Sequence, residues 1–119
     1  MENIEKLKNE IVSWAAEQGQ EHVAIEITRA WFLLGADGGR VRLYPIEDET
    51  GAADWRAINT NRQAIFRHMR SESKAAREKV QELADAMLAA LPAERRARLA
   101  GPTQQYLLSV AIREFAAAI

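Results

Sequence analysis

The stretch Asn59-Thr60-Asn61-Arg62-Gln63-Ala64-Ile65-Phe66-Arg67-His68-Met69-Arg70 (residues 59–70) decides how this chain is interpreted. Thr60 and Gln63 stand three residues apart and fit a capping box, which places the start of a helix near Asn61. Amide and guanidinium side chains follow along this helix, and such groups pair with adenine, guanine or phosphate. The stretch therefore predicts a helix that enters a DNA groove. Its apolar side, which would seat it on the protein, consists of Ile65, Phe66 and Met69.

The candidates for contacts with base edges are Thr60, Asn61, Gln63 and Arg67. On a helical wheel Arg67 lies opposite the apolar side, so it is the best single base or phosphate contact. Gln63 has two alternative roles, because an amide that closes the capping box is not free to read adenine. The stretch also has a plainer interpretation, as a solvated helix whose charges only keep the protein in solution.

Charge is divided unevenly along the chain, although the formal net charge is only -1. Residues 1–55 hold 5 Lys and Arg against 11 Asp and Glu, a net of -6, and residues 56–119 hold 11 against 6, a net of +5. A polyanion would be attracted to the second half. The alternative is that Glu78 and Glu82 pair with cations of their own helix. The candidates for DNA phosphate contacts are Arg62, Arg70, Lys74 and Arg77.

Composition argues against several classes of protein. A chain of 119 residues with 48% apolar residues suits one globular core, and no apolar run reaches the roughly 20 residues that a membrane span needs. The first residues lack the pattern of a signal peptide, so we expect a cytoplasmic protein. There is no cysteine, and the 2 histidines fall in no nucleophile or metal pattern. We therefore expect no enzyme activity, no catalytic residues, no cofactor and no metal site.

Apolar spacing predicts helices over residues 2–17, 23–34, 72–91, 92–99 and 103–119, in addition to the helix that begins near Asn61. The 23 residues from Ala36 to Ile58 read as a loop, with a short extended piece around Val41 and Leu43. The predicted fold is all-α. Residues 1–100 would form the DNA-binding domain, and residues 103–119 would form a separate C-terminal helix.

The last predicted helix has an apolar face that is wide for a chain terminus, so part of it is expected to pack on another subunit. A homo-oligomer, dimer or tetramer, would follow. The residues predicted to form that contact are Tyr106, Leu107, Val110 and Phe115.

Two motifs resemble the YdaT family of prophage proteins: Ile27-Thr28-Arg29-Ala30-Trp31-Phe32-Leu33-Leu34-Gly35, and Asn61-Arg62-Gln63-Ala64-Ile65-Phe66-Arg67. The likeness extends from about Glu10 to Leu99. Members of this family are named as bacterial toxins, and their organisation is similar to that of the lambda CII type of phage regulator. The resemblance implies a helix-turn-helix or POU-like domain that binds double-stranded DNA, with a long loop between the two motif helices. It also implies a C-terminal helix that assembles tetramers.

The expected function is therefore a prophage-encoded, sequence-specific transcriptional regulator. The alternative comes from another class: a growth-inhibiting, toxin-like module that binds a host protein. Its docking surface would be the acidic residues Glu47 to Glu49 or the exposed part of the last helix.

Overall fold

Five helices account for most of the described chain. A computed structural model describes residues 2–35 and 39–99, with side chains from Ile4 onward. The helices are α1 (Glu2–Gln18), α2 (Gln20–Leu33), α3 (Trp55–Arg70), α4 (Lys74–Ala90) and α5 (Ala93–Leu99). The only β pairing in these residues is an isolated antiparallel bridge between Glu47 and Ala53. The prediction of an all-α fold is confirmed. None of these helices combines the length and apolarity that crossing a membrane would require.

Helix α2 lies at the centre of the bundle, where it packs against α1, α3 and α4, while α5 packs on α1. One apolar cluster fills the space between the helices and also takes in Val41 and Leu43 from the connection before α3. Burial of these side chains is the main source of stability for such a bundle. Its most deeply buried large members include Ile11, Ile27, Ile65, Leu83 and Met87.

Helix α3 begins six residues earlier than the capping box predicted. Asp54 is the N-cap, and its Oδ1 accepts a hydrogen bond from the Ala57 backbone N–H at 3.1 Å. Ala57 and Ile58, which the sequence analysis assigned to the loop, are buried in the first turn. The predicted Thr60–Gln63 capping box is therefore wrong, because both residues lie inside an established helix whose amides are already paired along the backbone.

Asp54→Ala is expected to lower the free energy of unfolding by about 1 kcal/mol, the usual effect of removing an N-cap side chain. Urea denaturation followed by circular dichroism would measure the change. Thr60→Ala is the matched control, because it removes the cap that the sequence pattern suggested, and we expect a change within about 0.5 kcal/mol. A larger loss for Thr60→Ala than for Asp54→Ala would contradict this assignment.

The described part of the connection between α2 and α3, residues 39–54, is fixed to the bundle at Arg40. The Arg40 backbone N–H donates to Glu82 Oε1 at 2.8 Å, and the Arg40 guanidinium pairs with Glu78. Gly39 passes so close to Glu82 that a Cβ at this position would overlap its carboxylate. Beyond this point Val41 and Leu43 are buried while Arg42 and Tyr44 face solvent. The predicted alternation is therefore present, and residues 2–35 and 39–99 hold no partner strand for it.

Arg95 is a buried cation that fastens α5 to α1. Its guanidinium pairs with Glu10 Oε2 at 2.9 Å and Glu17 Oε2 at 2.6 Å, and donates to Ser13 Oγ at 3.2 Å. The hydrogen bonds that Arg95 donates to Glu10 and then to Glu17 raise its pKa above the ordinary value. This side chain is thus held in place by structural contacts, and it takes no part in the surface described next.

Candidate nucleic-acid interface

Helix α3 presents a continuous polar face to solvent. Its 16 residues include four arginines and no aspartate or glutamate. The buried side of the helix holds Ile58, Ile65, Phe66 and Met69, so the orientation of the polar side is fixed by core packing. The exposed polar residues repeat at intervals of three and four, and they are Arg56, Asn59, Thr60, Gln63, Arg67 and Arg70.

Three of the four predicted base contacts lie on this face: Thr60, Gln63 and Arg67 are all exposed. The alternative role of Gln63 in a cap does not apply, because α3 is capped by Asp54. Within the described residues Arg67 forms no ion pair, and no hydrogen bond involves its guanidinium or the Gln63 amide. These side chains are therefore available to an external ligand.

Asn61, the fourth predicted base contact, is only 1% exposed, and the structure contradicts that prediction. Its Oδ1 accepts from the Tyr44 backbone N–H at 3.0 Å, and its Nδ2 donates to the Tyr44 carbonyl at 2.8 Å and to Thr28 Oγ1 at 3.3 Å. The amide thus pairs with the connection on one side and with α2 on the other. A residue that is buried and hydrogen-bonded in this way cannot reach a base edge.

The predicted phosphate contacts are cations without carboxylate partners in the described part of the chain. Arg62 donates to two neutral oxygens, Gln20 Oε1 at 3.2 Å and Asn59 Oδ1 at 2.6 Å. Arg77 donates through Nε and a terminal nitrogen to the Glu72 backbone carbonyl at 3.1 and 3.0 Å. Neutral acceptors orient a guanidinium but leave its positive charge uncompensated. The other two, Arg70 and Lys74, are exposed.

The alternative pairing of cations with acids within α4 is not observed. Glu78 pairs with Arg40 and Glu82 accepts from the Arg40 backbone, so both carboxylates are engaged with the connection instead. Partial burial and then the positive charges of Lys79 and Arg67 lower the pKa of His68. His68 therefore contributes less positive charge to this surface than an ordinary histidine would.

Two exposed residues of this face were missed by the sequence analysis: Arg56 and Asn59. Both fall in the first two turns of α3. Arg56 lies in the segment that was predicted as a loop, and Asn59 precedes the predicted start of the helix near Asn61. Asp54 carried the signal that would have found them, because aspartate is as good an N-cap as threonine and an apolar residue follows it at Ala57. Trp55, at the first helical position, is also 60% exposed.

A shallow hollow lies beside the start of α3. Tyr44, Pro45 and Glu47 of the connection line one part of it, and it extends to Asp54, Arg56, Ala57 and Thr60.

The turn that follows Glu47 is closed by Asp48, whose carboxylate accepts from the Thr50 hydroxyl at 2.5 Å and the Ala52 N–H at 3.0 Å. These bonds, led by the one from Thr50, lower the pKa of Asp48. The Asp48 carboxylate thus stabilises this turn.

The predicted C-terminal helix over residues 103–119 and its four predicted subunit contacts, Tyr106, Leu107, Val110 and Phe115, lie outside the residues that the structure describes.

Comparison with known proteins gives a family for this chain. The model of the family described as Bacterial toxin ydaT matches residues 6–119. A protein named Transcriptional regulator YdaT from Escherichia coli (strain K12) is 38% identical over 96 residues. That alignment covers 80% of this chain and 60% of the relative, so the chain spans about 60% of the relative's length. No solved structure matches. The resemblance seen in the two sequence motifs is confirmed, and the chain belongs to the YdaT family.

Proposed function

We propose that this protein is a transcriptional regulator that binds double-stranded DNA in a sequence-specific manner, with α3 in the major groove. The observation that supports this most directly is the exposed face of α3, which carries amides, a hydroxyl and arginines but no acid. The major groove accepts an α-helix, and these are the groups that recognise base edges and phosphates there. Helices α2 and α3 would act as the supporting and recognition helices of a helix-turn-helix or POU-like domain.

Base readout would rest on Thr60, Gln63 and Arg67. Arginine and glutamine form bidentate hydrogen bonds with guanine and adenine respectively, whereas a threonine hydroxyl or methyl group can meet several bases. Arg56 joins this set, because it lies on the same face one turn before Thr60. Asn61 is excluded by its burial. Affinity that does not depend on sequence would come from Arg62, Arg70, Lys74 and Arg77.

The name of the E. coli relative, a transcriptional regulator, supports this proposal. A regulator of this kind would act in the cytoplasm, and a prophage gene would encode it. Residues 103–119 would join two or four copies, and symmetric oligomers bind repeated half-sites more tightly than single copies do. The proposed protein has no catalytic activity of its own and needs no cofactor.

Arg67→Ala is expected to weaken binding to the preferred site roughly 10- to 100-fold, because a bidentate arginine–guanine pair contributes about 1–3 kcal/mol of discrimination. The site would first be selected with the natural chain from a random duplex library. Fluorescence anisotropy would then compare the selected duplex with a scrambled one of equal length and composition.

Arg98→Ala is the matched control for Arg67→Ala, because it removes one exposed arginine from α5. Its affinity for both duplexes should stay close to that of the natural chain. If Arg67→Ala lost affinity equally for selected and scrambled DNA, base readout by Arg67 would be refuted. If the natural chain enriched no sequence and bound no duplex, the proposed function would fail as a whole.

A second function is suggested by an exposed apolar surface at the end of α2. Phe32, Leu33 and Leu34 are 47%, 87% and 53% exposed, and the family description calls its members toxins. Exposed apolar patches often mark protein interaction sites. In this alternative the chain would inhibit growth by binding a host protein. Growth inhibition that persisted in a variant without DNA binding, and disappeared in Leu33→Glu, would favour it.

A further inference from the structure

Tyr44 ties the connection to α3 through its backbone. Both polar groups of its backbone are hydrogen-bonded to the Asn61 amide, at 3.0 and 2.8 Å. Asn61 belongs to α3 and is itself buried. The Tyr44 backbone is thus fixed relative to the second turn of α3, one residue after Thr60.

The side chain of Tyr44 faces outward from this fixed point. Leu43 before it and Ile46 two residues after it are buried, whereas Tyr44 is 54% exposed. Its side chain lines the hollow that Arg56 and Thr60 also line. A ligand that contacts the first two turns of α3 from this side therefore meets the tyrosine as well. Within the described residues no hydrogen bond engages the Tyr44 hydroxyl.

The dimensions of the major groove decide what Tyr44 would meet. A helix with its side chains is about 10–12 Å across, and the groove is about 12 Å wide. The helix therefore fills the groove between its two walls, and a group that stands beside the helix has no room to reach the bases. It meets a wall, which consists of sugars and phosphates. Tyrosine hydroxyls are among the groups that donate hydrogen bonds to DNA phosphates.

We propose that Tyr44 is a DNA contact residue whose hydroxyl donates a hydrogen bond to a phosphate oxygen beside the start of α3. This inference rests on the proposed function and adds the connection to the interface. Glu47 and Asp54 also line the hollow and would repel a phosphate, and Arg56 offsets part of that repulsion. A neutral donor in this position gives affinity without adding a charge.

This contact has a signature that distinguishes it from an arginine or lysine contact. A cation that neutralises a phosphate releases counterions, so its removal makes the salt dependence of binding shallower. A tyrosine hydroxyl donates a hydrogen bond without a positive charge, so its contact with a phosphate releases no counterion. Tyr44→Phe should therefore weaken binding about 10-fold at every salt concentration, the order expected for a hydrogen bond to a charged group, and leave the salt slope unchanged. The loss should be similar for selected and scrambled duplexes.

The experiment measures the affinity of the natural chain, Tyr44→Phe and Arg67→Ala for the selected duplex at salt concentrations from about 50 to about 200 mM. Binding that depends on phosphate contacts weakens strongly over this range. Because Tyr44 is exposed, Tyr44→Phe should keep the same thermal unfolding midpoint. Replacing both tyrosines of the chain by 3-fluorotyrosine gives a second readout. The fluorine resonance that is missing in Tyr44→Phe should shift when DNA is added.

An unchanged affinity for Tyr44→Phe, together with a Tyr44 fluorine resonance that does not respond to DNA, would overturn this inference. If Arg67→Ala still lost specific binding in that case, the proposed function would stand and Tyr44 alone would be excluded. A shallower salt slope in Tyr44→Phe would also count against the proposed contact. Absence of DNA binding by the natural chain would instead remove the proposed function itself.

Discussion

Replacing Asn61 by alanine is expected to lower the free energy of unfolding by roughly 2–4 kcal/mol. Three hydrogen bonds would be lost, and the Tyr44 backbone groups and Thr28 Oγ1 would be left without their partner in a partly or fully buried setting. An unsatisfied buried polar group costs about 1–3 kcal/mol, more than the net contribution of the bond itself. The loss would also release the connection from α3.

Urea denaturation would measure the effect of Asn61→Ala, and Asn59→Ala provides a matched control. The control removes the same side chain from the same helix at an exposed position, where its one bond, to Arg62, lies in solvent. We expect the control to change the free energy of unfolding by less than about 0.5 kcal/mol. Equal effects for the two variants would show that the buried amide contributes nothing specific.

Asn61→Asp tests the contribution of the amide N–H donor separately, because the carboxyl group that replaces the amide can donate only when it is protonated. An ionised carboxylate accepts from the Tyr44 N–H but repels the Tyr44 carbonyl, so the folded state raises the pKa of the introduced carboxyl. The protonated form can donate to that carbonyl. Its stabilising effect is therefore present below the pKa of the unfolded chain, about 3.9, and is lost as pH rises through the higher folded value. Relative to the natural chain, this variant should be more stable at acidic pH than at pH 7.

Raising the salt concentration fourfold, from about 50 to 200 mM, is expected to weaken binding to any duplex roughly 100-fold. The estimate follows from four phosphate contacts per protein chain, Arg62, Arg70, Lys74 and Arg77, because each neutralised phosphate adds about 0.9 to the logarithmic salt slope. None of the four has a carboxylate partner within residues 2–35 and 39–99. Their charges are thus available to phosphates.

The double variant Arg70→Ala/Lys74→Ala should reduce that salt slope by about 2. Lys6→Ala/Arg98→Ala is the control, because it removes one exposed lysine and one exposed arginine from α1 and α5. Isothermal titration or anisotropy at four salt concentrations would give both slopes. A slope near zero for the natural chain would refute a phosphate interface on this surface. The same reduction in both double variants would mean that net charge, rather than these positions, sets the dependence.

The helices were predictable from the sequence where apolar residues repeat without interruption. Helix α1 agrees with the helix predicted over residues 2–17, and α4 lies within the helix predicted over residues 72–91. The start of α3 was not found, because two competing cap signals occur six residues apart. The pattern Thr60–Gln63 fits a familiar motif, whereas the actual cap, Asp54, lies in an acidic loop that gives no helical periodicity before it.

The exposed polar face of α3 was only partly predictable, because a helical wheel separates apolar from polar residues and not buried from exposed ones. Asn61 is polar, yet it lies on the buried side with Ile58 and Ile65, where a tertiary partner, the Tyr44 backbone, satisfies it. That partner is 17 residues away in sequence, and no local rule identifies it. The pairing of Glu78 with Arg40 was missed for the same reason, since Lys74 and Lys79 lie much nearer to Glu78 in sequence.

The two attachments of the connection, Arg40 to α4 and Tyr44 to α3, restrict how the length of this segment can vary among related chains. An extra residue between Arg40 and Tyr44 would reverse which side chains face the core, so that Val41 or Leu43 would be exposed to water. The turn around Gly51 is different, because its exposed tip lies beyond the bridge between Glu47 and Ala53. Insertions should therefore accumulate at that tip, where the chain can lengthen without disturbing the geometry of the helix that follows.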